Sequence, residues 1–166
     1  GSDILLLGRG SVELGASEYL KRLQGLVAGE PPRLDLSAER ALLDLLSRAA
    51  ATGLLQSAHD CSDGGIAITL AECSFETPGI GLDVDLTADE APGGNVLQIV
   101  GTLFGESASR VVVSVRPDDR EAVLRLAADC GVPAALLPPL AAVRRGDRLQ
   151  SAERDDHRDQ DGHQAD

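Results

Sequence analysis

Apolar positions along the chain fall into short blocks separated by turns marked with glycine and proline. "DILLLG" (3–8) is a continuous apolar run closed by a glycine, the pattern of a buried strand. "SVELGASEYLKRLQG" (11–25) places Leu14, Tyr19, Leu20 and Leu23 along one side of a short helical region. Within it Ser17 followed by Glu18 marks a helix start. "GEPPRLDL" is a loop, because Pro31 and Pro32 fit neither a helix interior nor a central strand. From Ser37 to Thr52, Leu42, Leu43, Leu45, Leu46 and Ala49 recur with helical spacing, and Gly53 stands just past the end.

"LLQSAHD" (54–60) then reads as a strand and Gly64 to Phe75 as a further helix. "GLDVDL" (81–86) alternates apolar and acidic residues, as a half-buried strand does. "APGGNVLQIVGTLFGES" (91–107) begins as a turn and becomes a short helix. "RVVVSV" (110–115) is the clearest strand. "RPDDREAVLRLAADCG" (116–131) is the clearest helix, with Pro117 in its first turn, acids at its start and Gly131 closing it. "VPAALLPPL" (132–140) supplies one more strand. The order implies an α/β fold of the α+β type, a mixed sheet with helices packed on it and no internal repeat.

Composition narrows the function classes. Hydrophobic residues make up 43% of 166, enough for a core, but aromatics only 2%, which argues against base stacking as a route to nucleic acid. A net charge of −12 points the same way, since polyanion binding needs a basic surface. A nucleotide or phosphorylated metabolite stays compatible, because a helix N-terminus can hold phosphate on an acidic protein. The longest early apolar run, Ile4 to Leu7, is too short for a membrane span or a signal-peptide core. Cys61, Cys73 and Cys130 form no CxxC pair, which argues against a disulfide framework or structural zinc and for a reducing, cytoplasmic setting. The absence of methionine implies a piece of something longer. "SAERDDHRDQDGHQAD" (151–166) has no large apolar residue and reads as a disordered acidic tail, His157 and His163 offering at most weak metal binding.

Two clusters carry candidate chemistry. In "HDCSDGG" a strand ends near Asp60 and a helix begins at Gly64. Gly64 and Gly65 would let a phosphate approach the N–H groups of the new helix, with Ser62 adding a hydroxyl. Equally, Asp63 serves as N-cap and the glycines permit close packing, while Asp60 and Asp63 repel a phosphate unless a cation intervenes. His59 has no partner in the sequence that would make it a general base. In "LFGESASR" (103–110), Glu106, Ser107, Ser109 and Arg110 lead into the apolar strand. Arg110 suits a bidentate contact to carboxylate or phosphate, or an ion pair with Glu106. "ELGASEYL" contains a small-residue turn that either borders a site or simply starts a helix at Ser17. No P-loop, GxGxxG, GxSxG or HExxH string is present.

Taken in order, "DILLLG", "ELGASEYLK", "GEPPRLDL", "SAHDCSDGGIAITLAEC" and "LFGESASRVVVSV" resemble the last quarter of the large subunit of phosphoribosylformylglycinamidine synthase. The resemblance runs from Asp3 to Pro133 and implies an aminoimidazole ribonucleotide synthase-like C-terminal domain over 31–150. Residues 1–30 would be the end of a preceding ATP-binding-type domain and its linker. The family converts phosphoribosylformylglycinamide to the amidine with ATP, Mg²⁺ and glutamine-derived ammonia in purine synthesis. Its partners are the N-terminal domains of the same subunit, a glutaminase subunit and a small bridging subunit, with no nucleic acid or membrane. The family's catalytic histidine and most ATP and Mg²⁺ ligands precede this segment, so no catalytic or metal role is carried onto His59. The resemblance implies that His59, Asp60, Ser62, Asp63, Gly64, Gly65, Glu106, Ser107, Ser109 and Arg110 line a phosphate or auxiliary nucleotide site at a domain interface. Alternatives are a non-catalytic scaffolding or auxiliary nucleotide-binding domain, or another member of the same superfamily, such as aminoimidazole ribonucleotide synthase or selenophosphate synthetase. After "GVPA" the chain departs from the family pattern, keeping only "GDRL" as an echo.

Overall fold

The computed structural model describes residues 1–75, 81–86 and 95–139. Four strands, β1 (Asp3–Leu7), β2 (Ser57–Asp60), β3 (Val111–Val115) and β4 (Ala134–Leu137), form one sheet in the order β2-β3-β1-β4. Every pairing is antiparallel. The expected arrangement of helices on a sheet is therefore found, with no parallel pair among the described strands.

The strand β1 explains why "DILLLG" is apolar throughout. Its register, Leu5 opposite Val113 and Leu6 opposite Val112, assigns successive residues to opposite faces, and both faces are covered. Leu5, Leu7, Val111, Val113 and Val115 meet Leu42 and Leu45 of α2 (Leu36–Ala51) and Val123 and Ala127 of α5 (Arg120–Asp129). On the other face Val112 and Leu137 share a core with Ile66 and Leu70 of α3 (Gly65–Phe75), flanked by Ile4 and Leu6. β1 lies inside the sheet, because β3 and β4 both take their ladders from it.

Helix α2 starts where Asp35 accepts from the N–H groups of Ser37 and Ala38, and it ends before Gly53, which takes the left-handed conformation. Its buried residues Leu42, Leu45 and Ala49 follow one stripe. Helix α1 (Glu18–Gln24) is shorter than the 11–25 pattern suggested. Ser17 caps it through Leu20 N–H, and the stretch before it is drawn off by hydrogen bonds to the 105–110 loop. A 3-10 turn at Pro117–Asp119 leads into α5. Asn95 and Gln98 form a capping box at the start of α4 (Val96–Phe104), whose Phe104 ring stacks on Tyr19 of α1.

Residues 81–86 do not form the expected strand. Leu82, Val84 and Leu86 still pack on the second core, as their alternation implied, but no ladder forms. Asp85 N–H instead donates to Pro138 O just beyond β4, at 2.7 Å. The expectations for 140–166, including the limit at residue 150 and the tail with His157 and His163, lie outside the described residues. Among the described residues no helix is long and apolar enough to cross a membrane.

Candidate functional site

Three segments distant in sequence meet at one end of the sheet. β1 delivers the 8–17 loop, β2 delivers "DCSDGG", and α4 delivers "GESASR" into β3. Glu106 joins them: its Oε1 accepts the Gly64 N–H at 2.8 Å and the Glu18 N–H at 2.9 Å. One carboxylate thus occupies the start of α1 and the turn before α3, both places where backbone donors and the helix dipole favour an anion. Gly65 N–H donates to Ser62 O at 3.0 Å.

That geometry changes two expectations. The N–H of Gly64 is satisfied by Glu106, and the Asp63 side chain is exposed and caps nothing among the described residues, so the expected Asp63 N-cap is absent. Nor do Glu106 and Arg110 pair with each other. Arg110 Nε donates to Ser107 O at 3.2 Å and its Nη2 donates to Gly105 O. Burial pushes the Arg110 pKa down from its ordinary value, with Cys61 acting in the opposite sense.

Gly65 shows why a glycine is needed here. Its φ is +65°, and a Cβ would stand 2.6 Å from Gly105 O, so α3 begins directly against the end of α4. Thr69, one turn later, donates to Gly65 O at 3.1 Å and to Asp60 O at 3.2 Å, fastening α3 back to β2.

Ser107 is buried and holds the first loop: its Oγ accepts Ser11 N–H at 2.9 Å and donates to Ser11 O at 3.2 Å. Ser109 takes a left-handed φ of 60° and donates its hydroxyl to Glu39 Oε2 of α2 at 2.6 Å. A non-glycine residue in that region is strained, and Gly8 lies directly against it, since a Cβ on Gly8 would stand 1.9 Å from Ser109 O. His59 lies apart, on the edge strand β2. Its Nδ1 donates to Asp60 O at 2.9 Å, and Glu72 lies 3.6 Å from Nε2. His59, Asp60, Ser62 and Asp63 form a partly to fully exposed rim, whereas Gly64, Gly65, Glu106, Ser107, Ser109 and Arg110 knit the loops beneath it.

Sequence reasoning missed Ser11, Glu39 and Thr69. Ser11 left a faint signal as part of the small-residue turn near "ELGAS"; Glu39 and Thr69 left none, since each looks like an ordinary helix residue. Among the described residues no group of three His, Cys, Asp or Glu side chains is placed to hold a metal ion. At the start of α3 the Gly64 N–H is taken by Glu106.

Two cavities open on either side of the Gly8–Ser11 loop. One, about 450 Å³, is lined by Arg9, Gly10, Ile66, Arg110 and Leu137 among others. The other, about 330 Å³, is lined by Glu13, Arg33, Asp35, Ser107 and Ser109 among others.

The profile of the family described as "AIR synthase related protein, C-terminal domain" matches residues 1–137. The chain belongs to this family. The matched span of this AIR synthase related domain includes β1, in keeping with that strand's place inside the sheet. The domain is 42% identical over 137 residues to "Phosphoribosylformylglycinamidine synthase subunit PurL" of Moorella thermoacetica, which covers 82% of this chain and 18% of that protein. It is 45% identical over 132 residues to the PurL subunit of Thermobifida fusca, covering 80% of this chain and 16% of the relative. The chain therefore spans less than a fifth of the length of these relatives.

Among solved structures, "T. maritima PurL complexed with FGAR" matches with a TM-score of 0.64 at 19% identity, over 82% of this chain and 23% of that one. "T. maritima PurL complexed with ATP" gives 0.59 at 20% identity, over 82% and 21%. A thiamine-monophosphate kinase from Stenotrophomonas maltophilia gives 0.51 at 20% identity, over 87% of this chain and 48% of the kinase. At these identities the likeness is one of fold.

Proposed function

We propose that this AIR synthase related domain is part of a phosphoribosylformylglycinamidine synthase large subunit and is inactive by itself. The observation that supports this most is the 42% identity over 137 residues to a PurL subunit. The likeness to PurL runs across a fold in which the "HDCSDGG" and "GESASR" segments are joined through Glu106.

In the reaction of such a subunit, the amide oxygen of phosphoribosylformylglycinamide is phosphorylated by ATP. Ammonia then attacks the carbon of the resulting iminophosphate, and the C–O bond breaks as inorganic phosphate leaves. This domain supplies none of the reacting groups. In this reading the ATP and Mg²⁺ ligands belong to the other domains of the subunit, and Glu106 takes the Gly64 N–H at the start of α3.

The contribution of this domain is a rigid wall. Its rim, His59, Asp60, Ser62 and Asp63, faces the neighbouring nucleotide-binding domain, held in place by the Glu106 and Ser107 contacts beneath. The glutaminase subunit and the small bridging subunit are the further partners of that assembly, in a cytoplasmic setting compatible with three free thiols.

Complementation tests the reading. The complete subunit carrying this chain restores growth without purines to a host lacking its own large subunit. Failure to restore growth, with soluble protein present, overturns the proposal. For the 166-residue chain alone, calorimetry with Mg-ATP shows weak or no binding; sub-micromolar affinity contradicts the assignment of ATP to other domains.

A further inference from the structure

Helix α3 carries one charged residue, Glu72, and it lies in the last turn, where the helix dipole disfavours an acid. No basic residue of the helix stands there to balance it. Opposite it is His59 of the edge strand β2, whose Nε2 lies 3.6 Å from Glu72 Oε2.

The other ring nitrogen decides what that contact means. Nδ1 is 2.9 Å from Asp60 O, and a carbonyl only accepts, so the neutral ring carries its proton on Nδ1. Nε2 then presents a lone pair to a carboxylate, and the two repel. A proton taken up on Nε2 reverses the sign, turning the same approach into an N–H⁺···O⁻ contact. Imidazole is the side chain that makes this change between about pH 5 and 8.

The ring is 35% exposed, so solvent protons reach it. The Asp60 carboxylate lies 3.8 Å from Nδ1 and adds a second negative charge. Asp63, in the turn that follows, is exposed. Strand β3, which sets Val112 opposite His59, has no charged residue, and the far side of β2 is the edge of the sheet. Cys73, next to Glu72, is a thiol held in its neutral form by burial and by Glu72. Neither Asp60 nor Glu72 has another ion pair among the described residues.

The contact also sits where a small force has leverage. Asp60 O accepts both the His59 ring N–H and the Thr69 hydroxyl, the latter at 3.2 Å. Ring and helix thus share one carbonyl at the mouth of the "CSDGG" turn. The Thr69 and Glu72 contacts are two rungs between β2 and α3, about one helical turn apart.

We propose that His59 is a pH-operated clasp. Protonated, it draws the last turn of α3 onto β2 and stiffens the turn between them; neutral, it releases both. The inference rests on this chain's own geometry and is independent of the catalytic reading, so either can fail without the other.

Thermal melting of the full chain at about pH 5.5 and about pH 8 compares Glu72→Gln with its parent, in the wild type and in the His59→Gln background. Both side chains are partly exposed, so the variants leave the core intact. At the lower pH Glu72→Gln lowers Tm by about 1–4 °C, the scale of one half-exposed ion pair. At the higher pH it leaves Tm unchanged or raises it, because the carboxylate facing the lone pair is gone. In the His59→Gln background the effect of Glu72→Gln is the same at both pH values. Hydrogen exchange, corrected for its intrinsic pH dependence, gives the local readout at the Cys61 and Gly65 N–H groups, which bond Arg110 O and Ser62 O. Their opening is about 3-fold more frequent in Glu72→Gln than in wild type at the lower pH, and equal at the higher. A Glu72→Gln effect on Tm that is equal at both pH values in the wild type, or a pH dependence that survives His59→Gln, overturns the proposal. Exchange at Cys61 and Gly65 that ignores the substitution at the lower pH overturns it as well.

Discussion

Glu106 Oε1 accepts the Gly64 N–H at 2.8 Å, across 42 positions of sequence, and so places a carboxylate where an open phosphate cradle would have its anion. With Glu18 N–H as its second donor, the same oxygen ties the two motif segments to the start of α1. The glycine pair of "SDGG" is thus explained inside the molecule.

Removing that acceptor leaves two partly buried N–H groups without a partner. Glu106→Ala lowers unfolding free energy by about 2–4 kcal/mol, since hydrogen bonds to charged groups contribute roughly 1.5–3 kcal/mol each. Glu106→Gln keeps an oxygen acceptor and recovers more than half of the loss. Urea denaturation of both variants checks this, and equal stability of Ala and Gln would contradict the double cap.

Two glycines with similar φ separate strain from crowding. Gly53 has φ +69° and nothing within 4 Å of a built Cβ, so Gly53→Ala costs only the left-handed strain of about 1–2 kcal/mol. Gly65 has φ +65° and Gly105 O at 2.6 Å from a Cβ. Gly65→Ala therefore costs a further 1–3 kcal/mol or so, the usual range for overpacking. Matched denaturation curves decide it.

Much of the frame was legible from residue order. The run Ile4 to Leu7, the 42, 45, 49 stripe of α2 and the "VVVSV" strand were readable because burial on one or both faces writes itself as periodicity. The place of β1 in the sheet was not, because strand order depends on partners more than a hundred residues away, as Leu5 opposite Val113 shows. Residues 81–86 illustrate a different limit. Alternation reported which side chains are buried, while the ladder depends on a neighbouring edge that the pattern does not encode. In the candidate site, "HDCSDGG" and "GESASR" stood out by composition, yet their link through Glu106 exists only in three dimensions. Glu39 and Thr69 act there without any local signature.

Burial raises the Cys61 thiol above its ordinary value of 9.0, more strongly than nearby Arg110 lowers it. On heating at rising pH the unfolded chain loses that proton first. The native advantage is therefore whole below about pH 8.5 and is lost as pH rises through the unfolded value toward the folded one. Tm of the wild type falls more steeply above that pH than Tm of Cys61→Ala, and parallel slopes contradict the assignment. Iodoacetamide labelling read by mass spectrometry gives a companion result, with buried Cys61 slower than the half-buried Cys73.

The Asp35 cap offers a simpler check on α2. Its carboxylate accepts from Ser37 N–H at 2.8 Å and Ala38 N–H at 3.1 Å. Asp35→Ala costs about 1 kcal/mol, and Asp35→Ser recovers most of it. A neutral Asp35→Ala in chemical denaturation would show that the cap does not set the start of this helix.

The most direct test of the whole account is substrate-dependent ATP turnover by the complete subunit that carries this chain. With ammonium chloride, Mg-ATP and phosphoribosylformylglycinamide, the account predicts ADP release at least 10-fold above that without the amide substrate, with the amidine as the other product. ADP release that does not respond to phosphoribosylformylglycinamide would contradict it.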